Sequence, residues 1–513
     1  MKTDKDFYRQ LRVLSCGQLW KVEVARFNKA TAKERMERVA VIRAVGVVFA
    51  ASGTAEQRAE VRLWLVGLLR DPCEKIRRYA ITALPKIGAG PGEEAELLSL
   101  LRTTVVEREQ KSLGQALDKI GGPATLEVVD GGRGFLPQTE QKVKASVARS
   151  QRPSKIRMDR TLSRFTRLRI HLRCRRGLEK IVRDEVKERM GPQGRFRIAE
   201  VRRGLVAITP AVPFSVADLY TLRCFGTVNF VLGTVRSTNA AESIEALAAT
   251  ITSPLSRELL STFTEGSIRY RLEFISKGHQ RGAVRLVANR AYALCPDILN
   301  DARLAPWAID IHPAGRGSSV ELRPRLAPDP RFYYRRQDIA AASHPPLAAC
   351  MARLAGKVEE EIVWDPFCGS GLELVERALL GGVQSVYGTD VSPEAIAIAR
   401  DNFSVAKVKS IQSKFTCCDF RDFAAVEGLG PDSITLIITN PPMGRRIRIP
   451  DMRGLFADFF TVAATVLKPG GRLVFVNPLR IGPLDPSLQL QSRQVVDLGG
   501  FDGRLEVYLK SAR

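Results

Sequence analysis

Near the end of the chain, the apolar run Ser433-Ile-Thr-Leu-Ile-Ile-Thr439 delivers the polar tetrad Asn440-Pro441-Pro442-Met443. Such a run reads as a buried strand, so the tetrad stands at a sheet edge. The Asn440 side-chain oxygen and the Pro441 carbonyl are adjacent acceptors that can each take one N–H of a single amine. An amine held in this way is pushed toward pyramidal geometry, with its lone pair free to meet an electrophile. An aniline-like nitrogen needs that help, because its lone pair is otherwise delocalised into the ring.

A second constellation lies upstream. Glu361-Ile-Val-Trp-Asp365 reads as a short strand, Pro366-Phe-Cys-Gly-Ser-Gly371 as a turn, and the following residues to Leu379 as a helix. Gly369 and Gly371 allow a ligand to approach the backbone at the carboxyl end of the strand, where open α/β sheets place their sites. The third glycine of the dinucleotide fingerprint is absent and no Gly-Lys-Ser/Thr follows, so neither NAD nor ATP is indicated. Val386-Tyr-Gly-Thr389 predicts the next strand. Asp390 at its end can accept both hydrogen bonds of a vicinal ribose diol. Ser392-Pro393 opens the helix after it as cap and first helical residue. Phe415-Thr-Cys-Cys-Asp-Phe420 places Asp419 at the end of a third strand.

Asp365-Pro-Phe-Cys-Gly-Ser-Gly371 resembles motif I of the class I methyltransferases, and Asn440-Pro-Pro-Met443 resembles the Asn/Asp-Pro-Pro-aromatic motif of their amino-group members. The resemblance implies S-adenosylmethionine as cofactor, surrounded by Asp365, Phe367, Gly369, Ser370, Gly371, Asp390, Val391, Asp419, Phe420 and Asn440. It also implies that Asn440, Pro441, Pro442 and Met443 form the catalytic group. In-line methyl transfer needs no covalent enzyme nucleophile, and positioning supplies most of the rate. Met443 departs from the aromatic residue of most relatives; a thioether can still lie against a base. Arg445 and Arg446 beyond it are candidate phosphate contacts. Ala342-Ser-His-Pro-Pro-Leu-Ala-Ala-Cys-Met351 resembles the helix entering such a domain, where His344 either lines the cofactor pocket or is structural.

The elements that must position these residues follow from the rest of the chain. Its 513 residues call for about three domains, and 45% hydrophobic with 26% charged residues is ordinary for a folded protein. Residues 32–128 carry helical periodicity, and Ala83-Leu-Pro-Lys-Ile-Gly88 returns 33 positions later as Ala116-Leu-Asp-Lys-Ile-Gly121. The segment 69–84 resembles a HEAT repeat, implying a helical platform over 1–130 for RNA or a protein partner. Residues 131–165 lose the apolar period and are rich in Lys and Arg, predicting a basic linker. Residues 166–340 alternate strand and helix patterns and resemble the ferredoxin-like and THUMP portion of THUMP-containing RNA methyltransferases. The matching stretches are Gly177-Leu-Glu, Leu222-Arg223, the Lys277-Gly-His279-Gln-Arg281 turn, and Trp307 with Ile309 and Ile311. That resemblance implies RNA contacts by Lys277, His279 and Arg281. Residues 341–513 are the expected catalytic domain, so the fold class is multidomain: α-helical front, α+β middle, Rossmann-like α/β end.

A net charge of +24 favours polyanionic partners. Nine cysteines show no paired framework, and Cys417-Cys418 lack a second pair at zinc spacing, so no metal is expected. The first residues lack a secretory apolar run and no later stretch reads as a membrane span, so a cytoplasmic monomer is expected. The combined reading is an S-adenosylmethionine-dependent RNA methyltransferase acting on a base amine, guanine N2 of tRNA or rRNA first. The alternatives are an adenine-N6 enzyme on RNA or DNA, and a non-catalytic RNA-binding or assembly protein that retains the cofactor pocket. A five-carbon pyrimidine enzyme would require a cysteine nucleophile beside the base, and the tetrad has none.

Overall fold

The computed structural model describes residues 4–511 apart from 132–133, 152, 166, 192–193, 238, 276–279, 316, 340–341, 409 and 445–448. The chain parts into two compact units: Met1–Arg157 with Leu232–Val320, and Met158–Val231 with Glu321–Arg513. Compactness therefore divides the expected 166–340 region, sending 166–231 and 321–340 to the catalytic segment and 232–320 to the helical front.

In the first unit, helices Ala40–Ser52, Ala55–Leu68, Glu74–Ile87, Pro91–Thr103, Glu107–Ile120, Pro123–Asp130 and Pro137–Gln151 follow one another through short turns. Each packs on the helix after next, giving two stacked layers, Ala40–Ser52, Glu74–Ile87, Glu107–Ile120 and Pro137–Gln151 in one and Ala55–Leu68, Pro91–Thr103 and Pro123–Asp130 in the other. The 33-residue recurrence is visible in the backbone: Glu74–Ile87 and Glu107–Ile120 have equal length, and each is followed by a helix that starts with proline. Ion pairs tie successive hairpins, Arg35 to Asp71 at 2.7 Å and Arg77 to Glu109 at 2.6 Å. Buried Glu94 caps the helix at Pro123 by accepting from the Gly122 and Thr125 backbones.

The linker expected over 131–165 is corrected in its middle. Helix Pro137–Gln151 buries Val143, Val147 and Ala148 in the same core as the preceding helices. Their helical spacing is masked in the sequence by interleaved cations, and these have structural partners: Lys144 pairs with Asp130 at 3.0 Å and Arg149 with Asp301 at 3.0 Å. The remainder of this unit sets strand Ile268–Phe274 parallel to both Ile298–Asn300 and Trp307–Ala314, with Trp307 donating to Thr264 at 2.9 Å.

In the second unit, Ile170–Arg173 lies between antiparallel strands Leu205–Pro210 and Thr227–Val235, beside helix Glu179–Met190. The unit continues through helix α1 (Pro345–Ala355) into a seven-stranded sheet: β1 (Glu361–Asp365), β2 (Val383–Asp390), β3 (Gln412–Cys417), β4 (Ile434–Thr439), β5 (Leu467–Asn477), β6 (Leu488–Asp497) and β7 (Asp502–Lys510). The order is β3-β2-β1-β4-β5-β7-β6; β1 to β5 run parallel and β7 runs antiparallel to β5 and β6. Helices α2 (Leu372–Leu379), α3 (Pro393–Val405) and α4 (Met452–Val466) connect them. Phe456, Phe459 and Phe460 from α4 pack against Trp364, Phe475 and Tyr508 of the sheet. Lys468–Gly471 form a bulge within β5, with Gly470 at φ +79. Among the described residues, no helix is long and apolar enough to cross a membrane.

The first half of this unit is fixed to the sheet through Arg223, whose guanidinium holds Glu376 of α2 with two 2.7 Å bonds while Tyr334 donates to the same carboxylate. Gly177, at φ +96, passes so close to the β6 backbone that a Cβ would lie 1.9 Å from the Val495 carbonyl. Two of the motifs read from sequence, Gly177-Leu-Glu and Leu222-Arg223, thus have a docking role inside this unit.

Candidate active site at the carboxyl ends of β1, β2 and β4

The chain leaves β1 toward β2 and β3 on one side, then returns to β4 on the other, so β1 and β4 flank the point where strand order reverses. Open parallel sheets have a crevice there. Val363 of β1 pairs with Leu436 of β4, and Asp365 with Gly388 of β2, which brings Asp365, Asp390 and Asn440 to one edge.

The glycine loop is shaped by φ values no ordinary side chain favours: +51 at Gly369 and +79 at Gly371. A Cβ on Gly371 would meet Ala399 of α3 at 3.2 Å. The Gly369 backbone donates to Asp390 at 3.0 Å, and the other Asp390 oxygen accepts from Ser392 at 2.9 Å. Ser370 is buried; its carbonyl accepts from Asn402 at 3.0 Å. Phe367 is half-buried and packs on Phe420 and Phe459 at ring separations of 5.0 and 5.8 Å. Phe420 itself is buried in the core, while Val391, at 70% exposure, stands open after β2. Asp419 caps the short helix after β3 and pairs with Arg421 at 2.9 Å.

Acceptors without partners concentrate at this edge. Asp365 Oδ2, Glu373 Oε1 and Asn440 Oδ1 are all buried and make no hydrogen bond. Burial, and then the neighbouring Glu373 carboxyl, push the Asp365 pKa far above the usual carboxylate range. Burial pushes Glu373 up to about 7, opposed by the Ser343 hydroxyl beside it. Unpaired buried acids are expensive unless a cation or donor arrives. Cys368, buried next to them, has its thiol pKa raised by burial and by these carboxyls, which disfavours a thiolate.

At β4, Asn440 donates through Nδ2 to Ser343 Oγ at 2.7 Å, leaving Oδ1 as the open acceptor. Pro441 is buried, and Pro442 and Met443 are half-buried. His344, exposed, stands at the N-cap position of α1 without a side-chain capping bond. Of the expected RNA contacts, Lys277, His279, Arg445 and Arg446 lie outside the described residues, and Arg281 starts an exposed helix turn in the other unit. Sequence reading missed Ser343 and Glu373. Glu373 was the detectable one, an acid on the inward face of a helix that follows a glycine loop.

The residues fit S-adenosylmethionine in kind: a glycine cradle, two buried carboxyls each with one oxygen left without a partner for a cationic ligand, and an Asp390 carboxylate whose oxygens each retain a lone pair for a diol.

Residues 333–481 match the family model described as UPF0020, RMKL-like, methyltransferase domain. Among curated relatives, a tRNA (guanine(10)-N2)-dimethyltransferase of Methanocaldococcus jannaschii is 31% identical over 152 residues, which cover 28% of this chain and 40% of the relative. A ribosomal protein L11 methyltransferase of Photobacterium profundum is 25% identical over 198 residues, covering 37% of this chain and 61% of the relative. The chain thus spans about half the length of these relatives. The crystal structure of TrmN from Thermus thermophilus superposes with a TM-score of 0.53 at 21% identity, covering 67% of this chain and 99% of that one. That share exceeds the sheet domain, so the likeness in fold reaches into the part of the chain before it. The C-terminal segment is by this match a methyltransferase domain, and S-adenosylmethionine is the cofactor of such a domain.

Proposed function

We propose that the chain is an S-adenosylmethionine-dependent RNA methyltransferase that methylates an exocyclic amine of a base, guanine N2 in tRNA or rRNA. The observation that carries the chemistry is the buried, unpartnered Oδ1 of Asn440, set beside the Pro441 carbonyl at the end of β4. These two acceptors hold the amine so that its lone pair faces the reactive methyl. The cofactor supplies that methyl from its sulfonium. Asp365 and Glu373 hold the cationic end of the cofactor, Asp390 its ribose, and Asp419 with Val391 its adenosine. Half-buried Met443 lies against the base. The net charge of +24 and the guanine-N2 relative favour RNA. The front helices serve as a HEAT-like platform and residues 166–340 as a ferredoxin-like and THUMP-like RNA-binding region. Lys277, His279, Arg281, Arg445 and Arg446 take phosphates. The chain acts as a cytoplasmic monomer.

The test is to incubate the full chain with methyl-labelled S-adenosylmethionine and unmodified total RNA, then identify the labelled nucleoside by mass spectrometry. N2-methylguanosine is expected. Another amino-methylated base keeps the mechanism and changes the target. Label in a ribosomal protein fraction instead of RNA would overturn the RNA assignment, and no transfer with intact cofactor binding would overturn the enzymatic one.

A further inference from the structure

The amide of Asn440 has two ends, and only one is useful: its oxygen must face the amine, its nitrogen must be held elsewhere. Ser343, on the segment entering α1, accepts from Asn440 Nδ2 at 2.7 Å. A hydroxyl that accepts on one side has its own proton to give. Its other neighbour is Glu373 on α2, an acid 3% exposed whose Oε1 makes no bond and whose ionised form the Ser343 hydroxyl favours. If the serine proton went to Asn440 instead, the amide would turn round, leaving an amide N–H where the reaction needs an acceptor. Once ionised, as a cationic ligand favours, Glu373 competes for that proton with a charge, and a charge-assisted hydrogen bond is about twice as strong as a neutral one.

We propose that Ser343 is a positioning residue which, backed by Glu373, sets the Asn440 carboxamide with its oxygen toward the reacting amine. The proposal rests on the amine-methyltransferase reading above. It assigns to the three elements β4, α2 and the approach to α1 a single polar chain, Glu373–Ser343–Asn440, whose direction is decided at the acid end. Glu373→Gln would remove that bias: a carboxamide can donate to the serine oxygen as well as accept from it, so the serine proton is no longer held at the acid end and becomes free for Asn440. The same substitution leaves size and packing nearly unchanged, which separates the hydrogen-bond sense from bulk.

Two measurements test this. In the full chain labelled with 15N-asparagine, the Asn440 side-chain amide is identified by its disappearance in Asn440→Ala. Its N–H toward Ser343 is expected to be slow to exchange with solvent in the wild type, and fast in both Ser343→Ala and Glu373→Gln. Unchanged exchange in Ser343→Ala would overturn the proposal, and this readout needs no activity. In the methylation assay, Ser343→Ala is expected to lower kcat about tenfold with the dissociation constant for S-adenosylmethionine within twofold, and Ser343→Thr to restore kcat. Wild-type kcat in Ser343→Ala, or an equal loss of cofactor binding, would overturn it. A wild type that binds the cofactor without transferring methyl fails the functional reading alone, because the amide measurement still decides the positioning role.

Discussion

The backbone N–H of Gly369 donates to the carboxylate of Asp390 at 3.0 Å, tying the loop after β1 to the end of β2 across 21 residues of sequence. One side chain therefore shapes the cradle and, with a lone pair left on each oxygen, offers acceptors to a diol. Asp390→Ala removes both functions. Hydrogen bonds to charged groups contribute roughly 1.5–3 kcal/mol each, so cofactor affinity is expected to fall at least about tenfold, measured by calorimetry. Asp390→Asn, which keeps one acceptor oxygen, should lose less. An unchanged dissociation constant in Asp390→Ala would exclude Asp390 from the cofactor site.

Asn440 acts at a different step. Its Oδ1 faces the amine rather than the cofactor in the proposed mechanism, so Asn440→Ala is expected to lower kcat by about 100- to 1,000-fold, the range for removing one preorganised hydrogen-bonding group. Cofactor affinity should change only a few-fold. Single-turnover transfer with labelled cofactor, alongside calorimetry, separates the two, and full activity in Asn440→Ala would reject the catalytic assignment.

The contrast between these residues and Ser343 shows what sequence made legible. Asp365, Asp390 and Asn440 each follow a short strand-like stretch, residues 362–364, 386–389 and 434–439, and a polar residue after such a stretch marks a strand end. The glycine loop is equally local, since Gly369 and Gly371 adopt φ values that select glycine. Ser343 carries no such mark: 97 residues separate it from Asn440, and only the closure of α1 against the sheet brings them together. The same limit hid the helix Pro137–Gln151, whose buried valines are spaced correctly but sit among lysines and arginines. It also hid the parting of the middle region between two units, because compactness is a property of long-range packing and not of local pattern.

Arg223 and Glu376 are a docking pair whose energetics can be measured without substrate. Glu376 is 2% exposed and its carboxylate is shared by Arg223 and Tyr334. Arg223→Ala leaves that charge buried and under-paired, which costs about 3–5 kcal/mol in comparable cases. Glu376→Gln on top of it removes the stranded charge, so the double variant is expected to be more stable than Arg223→Ala alone. Denaturant midpoints followed by tryptophan fluorescence report this; an additive double variant would show that the two side chains do not act as a pair.

Glu373 gives the site a pH dependence whose sign can be worked out. Its pKa is raised from the ordinary 4.5 to about 7, by burial first and by Glu376 among its neighbours. Asp365 faces it from the end of β1, Ser343 from the approach to α1, and its charge is also felt at Cys368 and Tyr334; Arg223 is engaged with Glu376. Between pH 4.5 and 7 the folded state keeps a proton that the unfolded state releases, so this acid's contribution to stability is complete below that window and is lost as pH rises through it. A cationic ligand reverses the preference by favouring the carboxylate. Binding of S-adenosylmethionine below pH 7 is therefore expected to release a proton and to tighten as pH rises, by at most about tenfold per pH unit. The ligand's own amine titrates identically for every protein variant, so the difference between wild type and Glu373→Gln isolates this residue. The variant should bind with a flatter pH profile between 6 and 8 and gain melting temperature relative to wild type as pH increases. Calorimetry in buffers of different ionisation enthalpy counts the proton directly. Identical proton counts in wild type and variant would mean that Glu373 is not linked to the cofactor site, and the burden of the positive charge would fall on Asp365 alone.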